Sequence, residues 1–179
     1  MKKLLVVVDY QNDFVDGALG YPGAEDLDER IADKIAEYRG MGADVVFTFD
    51  THGEDYLETQ EGRRLPVTHC IKGSGGWELF GKTAAFLTPE TPVFLKEAFG
   101  SLELGEFIRG GGYEEIELVG LVSNMCVLSN AVIAKAAEPE ARIIIDALCT
   151  GTFDPELNEK ALDIMESLQM DVINREARL

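Results

Sequence analysis

The chain has few basic residues and no long apolar segment, and each scarcity excludes a class of function. Sixteen Lys and Arg stand against 33 Asp and Glu, which gives a net charge of -17 at pH 7. A surface this acidic repels phosphate backbones and anionic lipids, so neither nucleic acid nor a membrane surface is expected as a partner. No apolar run approaches the roughly 20 residues that a membrane-spanning helix needs.

Cysteine and histidine are also scarce. The three cysteines, Cys70, Cys126 and Cys149, cannot all pair within one chain, and the N-terminal residues lead into an apolar strand without a signal-peptide pattern. We therefore expect a soluble protein of the reducing cytoplasm. The only histidines are His52 and His69, so a Ser-His-Asp or Cys-His mechanism would have to use one of these two.

The length and pattern of the chain predict one α/β domain over residues 1–179. With 179 residues and 46% hydrophobic content, two domains would each have a small core. Short apolar runs alternate with helical periodicity, which is typical of a parallel sheet built from βαβ units. The predicted strands are 4–8, 45–49, 93–95, 116–119, 143–145 and 172–173. The predicted helices are 27–38, 102–108, one that carries Cys126, and a last one from Pro155 to about 168.

Polar residues follow four of these strands. Asp9 follows the first, Asp50 and His52 the second, Lys96 the third, and the fourth leads to Cys126. Ligands bind beyond the carboxyl ends of the strands in open parallel sheets, so we expect these side chains to converge on one edge. The alternative for Asp9 and Lys96 is a capping or solvated role.

Cys126 lies where the strand pattern changes to a helix pattern. On the first turn of a helix, oriented N–H groups and the macrodipole lower the pKa of a thiol and can bind an oxyanion. The alternative is an inert buried thiol. Asp9, Lys96 and Cys126 together supply a carboxylate, a cation and a sulfur, the groups that a thiol hydrolase requires.

Asp50 and His52 are two residues apart in an extended segment, so their side chains point to the same side, and His69 returns from the long loop 53–87. Two imidazoles and a carboxylate are suited to a catalytic divalent metal with positions open for water or substrate. The alternative is a pair of loop histidines held by backbone hydrogen bonds.

Five motifs are similar to those of a known family. They are residues 9–14 (DYQNDF), 50–52 (DTH), 68–71 (THCI), 95–96 (LK) and 120–127 (GLVSNMCV). In this order they resemble the isochorismatase-like cysteine hydrolases, most closely the nicotinamidase branch. The resemblance implies a three-layer α/β/α Rossmann-like fold with a six-stranded parallel sheet in the order 3-2-1-4-5-6. It also implies hydrolysis of a small-molecule amide through a thioester, as nicotinamide is converted to nicotinate and ammonia, by a homo-oligomer.

The same resemblance assigns roles to residues. Asp9, Lys96 and Cys126 would form the catalytic triad. A non-proline cis peptide at Leu121-Val122 would aim the Val122 N–H, with the Cys126 N–H, at the oxyanion. Phe14 would form part of the substrate pocket.

By resemblance, Asp50, His52 and His69 would ligate a divalent metal, zinc first, with iron or manganese as alternatives. Isochorismatases proper lack this set of ligands, which is why the chain is placed with the amidases.

The chain departs from the nicotinamidase pattern at several positions. Thr51 stands where tryptophan is usual, Tyr56 where a further histidine is found, Leu65 in place of a tryptophan before proline, and Asn124 in place of an acidic residue. These positions concern recognition of the pyridine ring rather than amide hydrolysis. Two alternatives therefore stay open: a hydrolase of the same scaffold that acts on a carbamoyl, ureido or vinyl-ether bond, and a binding domain without catalysis. Trp77 either covers the pocket or anchors its loop, and we favour the anchor.

Overall fold

The computed structural model describes residues 1–175. Six strands form one parallel sheet: β1 Lys3–Val8, β2 Asp44–Asp50, β3 Val93–Lys96, β4 Glu115–Leu121, β5 Arg142–Gly151 and β6 Asp171–Ile173. Their order is β3-β2-β1-β4-β5-β6 and every neighbouring pair is parallel. The predicted sheet and its strand order are confirmed.

Helices cover both faces of the sheet. They are α1 Asn12–Val15, α2 Asp28–Gly40, α3 Gly81–Ala84, α4 Leu102–Gly111, α5 Leu128–Ala137 and α6 Pro155–Ser167. Side chains alternate along a strand, so Leu4 and Val6 of β1 pack with α4, α5 and α6, whereas Leu5 and Val7 pack with α1 and α2. This is the predicted three-layer arrangement. No helix within residues 1–175 is long and apolar enough to cross a membrane.

β5 is much longer than the predicted strand 143–145. The prediction ended before Asp146 because a charged residue interrupts the apolar run, but the observed strand continues past it. Asp146 is buried, and its carboxylate is 2.8 Å from Lys34 Nζ on α2. That ion pair allows a charged side chain inside the strand, where the apolar run alone had indicated its end.

The ends of α4 and α6 agree better with the sequence. Gly112 terminates α4 with a left-handed φ of 64°, and Asp154 caps α6.

The long segment between β2 and β3 lies over the carboxyl edge of the sheet. Apart from α3 it contains only short turns, at Tyr56–Glu58 and Gly75–Trp77. Two isolated bridges tie it down, one between Gln11 and Leu79 and one between His52 and Ile71. The segment therefore adds its own side chains to the edge at which the polar residues of the strands meet.

Candidate active site

Lys96, the last residue of β3, is the centre of the site. Its Nζ is 2.6 Å from Asp9 Oδ2, 3.0 Å from Asp50 Oδ1 and 3.5 Å from Cys126 Sγ. The register of the sheet explains part of this convergence, since Asp50 of β2 lies directly beside Lys96. All four residues are buried. The structure thus brings together the strand-end residues that the sequence singled out.

Asp9 follows β1 in an unusual backbone conformation. Its φ is 44°, in the left-handed region that few residues other than glycine adopt. The hydroxyl of Thr48 donates a hydrogen bond of 2.7 Å to Asp9 Oδ1, which leaves Oδ2 facing Lys96. One oxygen of the Asp9 carboxylate therefore contacts Thr48 and the other contacts Lys96.

Cys126 lies in a π-helical turn, Ser123–Val127, that joins β4 to α5. The peptide bond Leu121-Val122 before this turn is cis, as predicted. Gly120 precedes it with a φ of 107°, and a Cβ at that position would lie 2.0 Å from the carbonyl oxygen of Val8. Only glycine allows β4 to approach β1 so closely at this point.

The surroundings of Cys126 do not favour a thiolate. Burial raises the pKa of the Cys126 thiol well above its usual value; Lys96 opposes this shift, whereas Asp9 and Asp50 add to it. This direction is opposite to the lowering that was expected from the helix turn. Burial raises the pKa of Asp9 as well, with Lys96 again opposing. One ammonium faces two carboxylates and a thiol, and Asp9 is positioned to accept the thiol proton.

The three predicted metal ligands form one buried cluster. One ligand atom each from Asp50, His52 and His69 lies within 4.8 Å of the other two. Asp50 Oδ2 is 3.0 Å from His52 Nε2 and 3.3 Å from His69 Nε2. Asp50 Oδ1 points the other way, to Lys96. This carboxylate therefore belongs both to the cluster and to the ion network of Cys126.

The donor atoms of the cluster fit a divalent cation. His69 Nδ1 is 2.8 Å from the carbonyl oxygen of Val67, which can only accept, so the neutral ring carries its proton on Nδ1 and offers the Nε2 lone pair to the cluster. Burial lowers the pKa of His69, but the hydrogen bonds with Asp50 and Val67 and the negative charges of Asp50 and Glu61 together raise this pKa overall. The facing lone pairs attract either a proton or a metal ion, and a His₂Asp set is suited to zinc, iron or manganese.

Two residues of the long segment complete this cluster; from the sequence, Tyr56 was noted only as a departure from the family pattern and Glu61 was not singled out. The ring of Tyr56 packs against both imidazoles, with centroids 4.6 Å from His52 and 4.9 Å from His69. Glu61 Oε1 is 4.0 Å from His52 Nε2, and burial raises the pKa of this carboxyl. The available sequence signal for Glu61 was its position, as an acidic residue between two histidines that are candidate metal ligands.

Comparison with known proteins identifies the family. The model of the isochorismatase domain matches residues 3–177. This chain belongs to the isochorismatase family. An uncharacterized isochorismatase family protein of Bacillus subtilis is 33% identical in an alignment of 174 residues that covers 90% of this chain and 93% of that protein. The nicotinamidase/pyrazinamidase of Mycobacterium tuberculosis is 26% identical, over 96% of this chain and 98% of that protein.

Solved structures of a nicotinamidase/pyrazinamidase and a pyrazinamidase agree with the fold. A nicotinamidase/pyrazinamidase of Bacillus subtilis superposes with a TM-score of 0.85 and 30% identity, covering 96% of this chain and 99% of that one. A pyrazinamidase of Pyrococcus horikoshii, solved in complex with zinc, gives a TM-score of 0.85 and 25% identity, covering 98% and 100%.

The candidate site is supported by side chains to which sequence reasoning gave no role. The carboxamide of Gln11 accepts a hydrogen bond from the Asp50 N–H at 2.8 Å and donates to the Asp50 carbonyl at 2.9 Å. Asn130 Nδ2 donates to the carbonyl of Cys126 at 2.9 Å. The only indication of these contacts in the sequence was that Gln11 lies close to Asp9 and Asn130 close to Cys126.

Two aromatic side chains that the sequence singled out flank the cluster. The ring of Phe14 meets the His69 ring edge-on, with centroids 5.6 Å apart. The indole of Trp77 packs on Phe49 at 5.1 Å and donates to Thr51 Oγ1 at 2.9 Å. These contacts agree with an anchoring role for Trp77.

Proposed function

We propose that the chain is an amidohydrolase that cleaves the C–N bond of a small-molecule amide through a thioester on Cys126, as a nicotinamidase does with nicotinamide. One observation carries this proposal: the buried Lys96 ammonium contacts the Asp9 carboxylate and the Cys126 sulfur at once. A base, a balancing cation and a nucleophile at hydrogen-bond distance are what covalent thiol catalysis needs. The nicotinamidases among the relatives supply the reaction class.

In the first half of the reaction, Asp9 takes the thiol proton while the sulfur bonds to the carbonyl carbon. The carbonyl oxygen becomes an oxyanion and accepts hydrogen bonds from the backbone N–H groups of Val122 and Cys126. The C–N bond then breaks, Asp9 returns the proton to the nitrogen, and ammonia leaves. The acyl group remains on Cys126 as a thioester.

In the second half, a water molecule attacks the thioester and gives a proton to Asp9. The tetrahedral adduct collapses with cleavage of the C–S bond, and the sulfur leaves as a thiolate next to Lys96. It then recovers the proton from Asp9, so the thiol is restored and a carboxylic acid is released. Lys96 stays charged throughout, since Asp9, Cys126 and Asp50 keep its pKa well above the usual value although burial lowers it.

Asp50, His52 and His69 would hold one divalent ion, with zinc as the first candidate and iron or manganese as alternatives. Bound there, it would orient the substrate or supply a water molecule. The buried convergence of the three ligand atoms supports this assignment, and Glu61 lies near enough to contribute a further oxygen. Phe14, packed against His69, would form a wall of the same pocket.

Ammonia release tests the proposal. Zinc-supplemented protein is assayed with nicotinamide, pyrazinamide and N-carbamoyl amino acids, and we expect release from at least one of these amides. Cys149→Ala is the matched control for Cys126→Ala, because Cys149 is also a buried free thiol. The control should keep activity and Cys126→Ala should lose it. Hydrolysis by Cys126→Ala at the wild-type rate would overturn the thioester route.

Hydrolysis of a carbamoyl compound is the second candidate. Leu65 replaces the tryptophan of the nicotinamidase pattern and is exposed, and its carbonyl oxygen accepts a hydrogen bond from the Tyr56 hydroxyl. An aliphatic side chain at this position does not favour an aromatic ring as an indole would. An N-carbamoylsarcosine amidase of Thermoplasma acidophilum shares the fold with a TM-score of 0.79 and 25% identity. The same substrate panel decides between the two candidates.

We further propose that residues 1–179 act as one catalytic domain, in the cytoplasm and as a homo-oligomer. The continuous family match over residues 3–177 supports the single domain, and three free cysteines are suited to a reducing compartment. Light scattering of the purified protein tests the oligomer, and a monomeric mass would refute it.

A further inference from the structure

The carboxylate of Asp13, on α1, holds the backbone next to a candidate metal ligand. Its Oδ2 accepts a hydrogen bond of 2.7 Å from the N–H of Cys70, the residue directly after His69. Its Oδ1 accepts one of 3.1 Å from the N–H of Ala18. The two oxygens therefore tie the long segment to the end of α1, at the point where His69 enters the cluster.

Cys70 needs such a restraint. Its φ of 46° lies in the left-handed region, which a residue with a Cβ adopts only when its surroundings fix it. Asp13 holds its N–H, and the N–H of His52 donates to its carbonyl at 3.0 Å. The peptide groups around Cys70 thus connect His69 with the strand end that carries His52.

Two glycines leave room for the Asp13 carboxylate. A Cβ on Gly76 would lie 2.1 Å from Asp13 Oδ2, and one on Gly17 would lie 2.5 Å from Oδ1. The carboxylate could move aside only by losing its bonds to Cys70 and Ala18. The space around Asp13 is therefore shaped to this one position of its side chain.

We propose that Asp13 is a positioning residue for the metal site: by fixing the backbone of Cys70, it orients the imidazole of His69 toward Asp50 and His52. This inference rests on the metal assignment of the proposed function. Partners that orient a ligand without touching the ion typically change metal affinity by about 10- to 100-fold when they are removed. We expect a loss of that size without Asp13.

The experiment measures the zinc dissociation constant by competition with a chromophoric chelator, on the full chain at fixed pH. Asp13→Ala should bind zinc about 10- to 100-fold more weakly than wild type. The zinc affinity of Asp13→Asn should lie between those of wild type and Asp13→Ala, because its amide keeps one acceptor oxygen but presents a donor where the second oxygen was. Asn12→Ala is the control: Asn12 tethers the same segment through the carbonyl of Gly75, at 2.7 Å, and leaves Cys70 untouched. It should change zinc affinity little.

A second variant, at Gly76, displaces the Asp13 carboxylate without changing Asp13 itself. Gly76→Ala should weaken zinc binding as Asp13→Ala does, and in both variants the amide of Cys70 should exchange with deuterium faster than in wild type. If Asp13→Ala fails to fold, Gly76→Ala and Asp13→Asn still test the inference. Folded variants with wild-type zinc affinity overturn it. Wild-type protein that binds no zinc would instead refute the metal assignment, and the inference with it.

Discussion

Replacing Lys96 with methionine should abolish turnover and, in addition, destabilise the protein in a pH-dependent way. Methionine has nearly the length of lysine and no charge, so the change removes the ammonium while filling its space. Lys96 is buried between Asp9 at 2.6 Å and Asp50 at 3.0 Å. Its loss leaves two carboxylates without their shared cation.

The magnitude follows from that burial. Removing one partner of a buried ion pair typically lowers the free energy of unfolding by about 3 to 5 kcal/mol, because the remaining charge is left uncompensated. Asp50 keeps its imidazole neighbours, so the larger share of the effect should come from Asp9, whose carboxylate is fully buried. A second change, Asp9→Asn, removes that charge and should recover part of the lost stability without restoring turnover.

The pH dependence has a definite sign. Burial already raises the pKa of Asp9, and Lys96 opposes that shift, so the pKa rises further in Lys96→Met. Between the unfolded pKa of about 3.9 and the raised folded pKa, the folded state binds more protons than the unfolded state. Stability therefore falls as pH rises through this window. The free energy of unfolding that Lys96→Met loses relative to wild type should be larger at pH 8 than at pH 5.

Urea unfolding at the two pH values measures this deficit, and Lys34→Met is the matched control. Lys34 also lies between two buried carboxylates, 2.9 Å from Glu117 and 2.8 Å from Asp146, but on the α2 side of the sheet. Its variant should lose stability and keep turnover. If Lys96→Met retains wild-type turnover, or unfolds at pH 8 with the free energy of wild type, Lys96 does not have the role assigned to it.

Three further outcomes are expected. Cys126→Ala should retain the fold, since a small side chain is only trimmed, and lose turnover by orders of magnitude; residual activity above about one per cent of wild type would contradict a covalent role. Asp9→Asn should be nearly as inactive, because an amide cannot accept the thiol proton, and steady-state kinetics that match wild type would remove Asp9 from the mechanism. Metal analysis should find about one equivalent of divalent ion per chain and much less in His52→Ala or His69→Ala, since the proposed site takes a ligand from each imidazole. Protein that binds neither zinc, iron nor manganese and still hydrolyses an amide would refute the metal site.

The strands were predictable where burial on both faces makes an apolar run. β1 shows this, since Leu4 to Val8 are all buried. β5 was predicted at less than half its length, because Asp146 interrupts the run and its partner Lys34 is more than a hundred residues away. A sequence pattern reports local periodicity and carries no signal of such a distant ion pair.

The candidate site was predictable as a set of residue types at strand ends, and its electrostatics were not. A parallel sheet places Asp9, Asp50 and Lys96 on one edge whatever the details of packing. The pKa of Cys126 depends instead on how deeply the turn is buried and on how many carboxylates share one ammonium. Support from Thr48 and Gln11 depends on the register between strands and on the path of the long segment, which no motif records.

The ion network of Lys96 also fixes the edge strand that carries it. β3 has four residues, and Lys96 is its only fully buried one, whereas Val93 and Leu95 are both more than a third exposed. A strand without a clear apolar face has a weakly specified register, and a slip of one residue turns every side chain to the opposite face. Such a slip in β3 would take the ammonium away from Asp9 and Asp50. The contacts that assemble the candidate catalytic site therefore also help to hold β3 in its register against β2, together with the packing of Phe94 on Phe107.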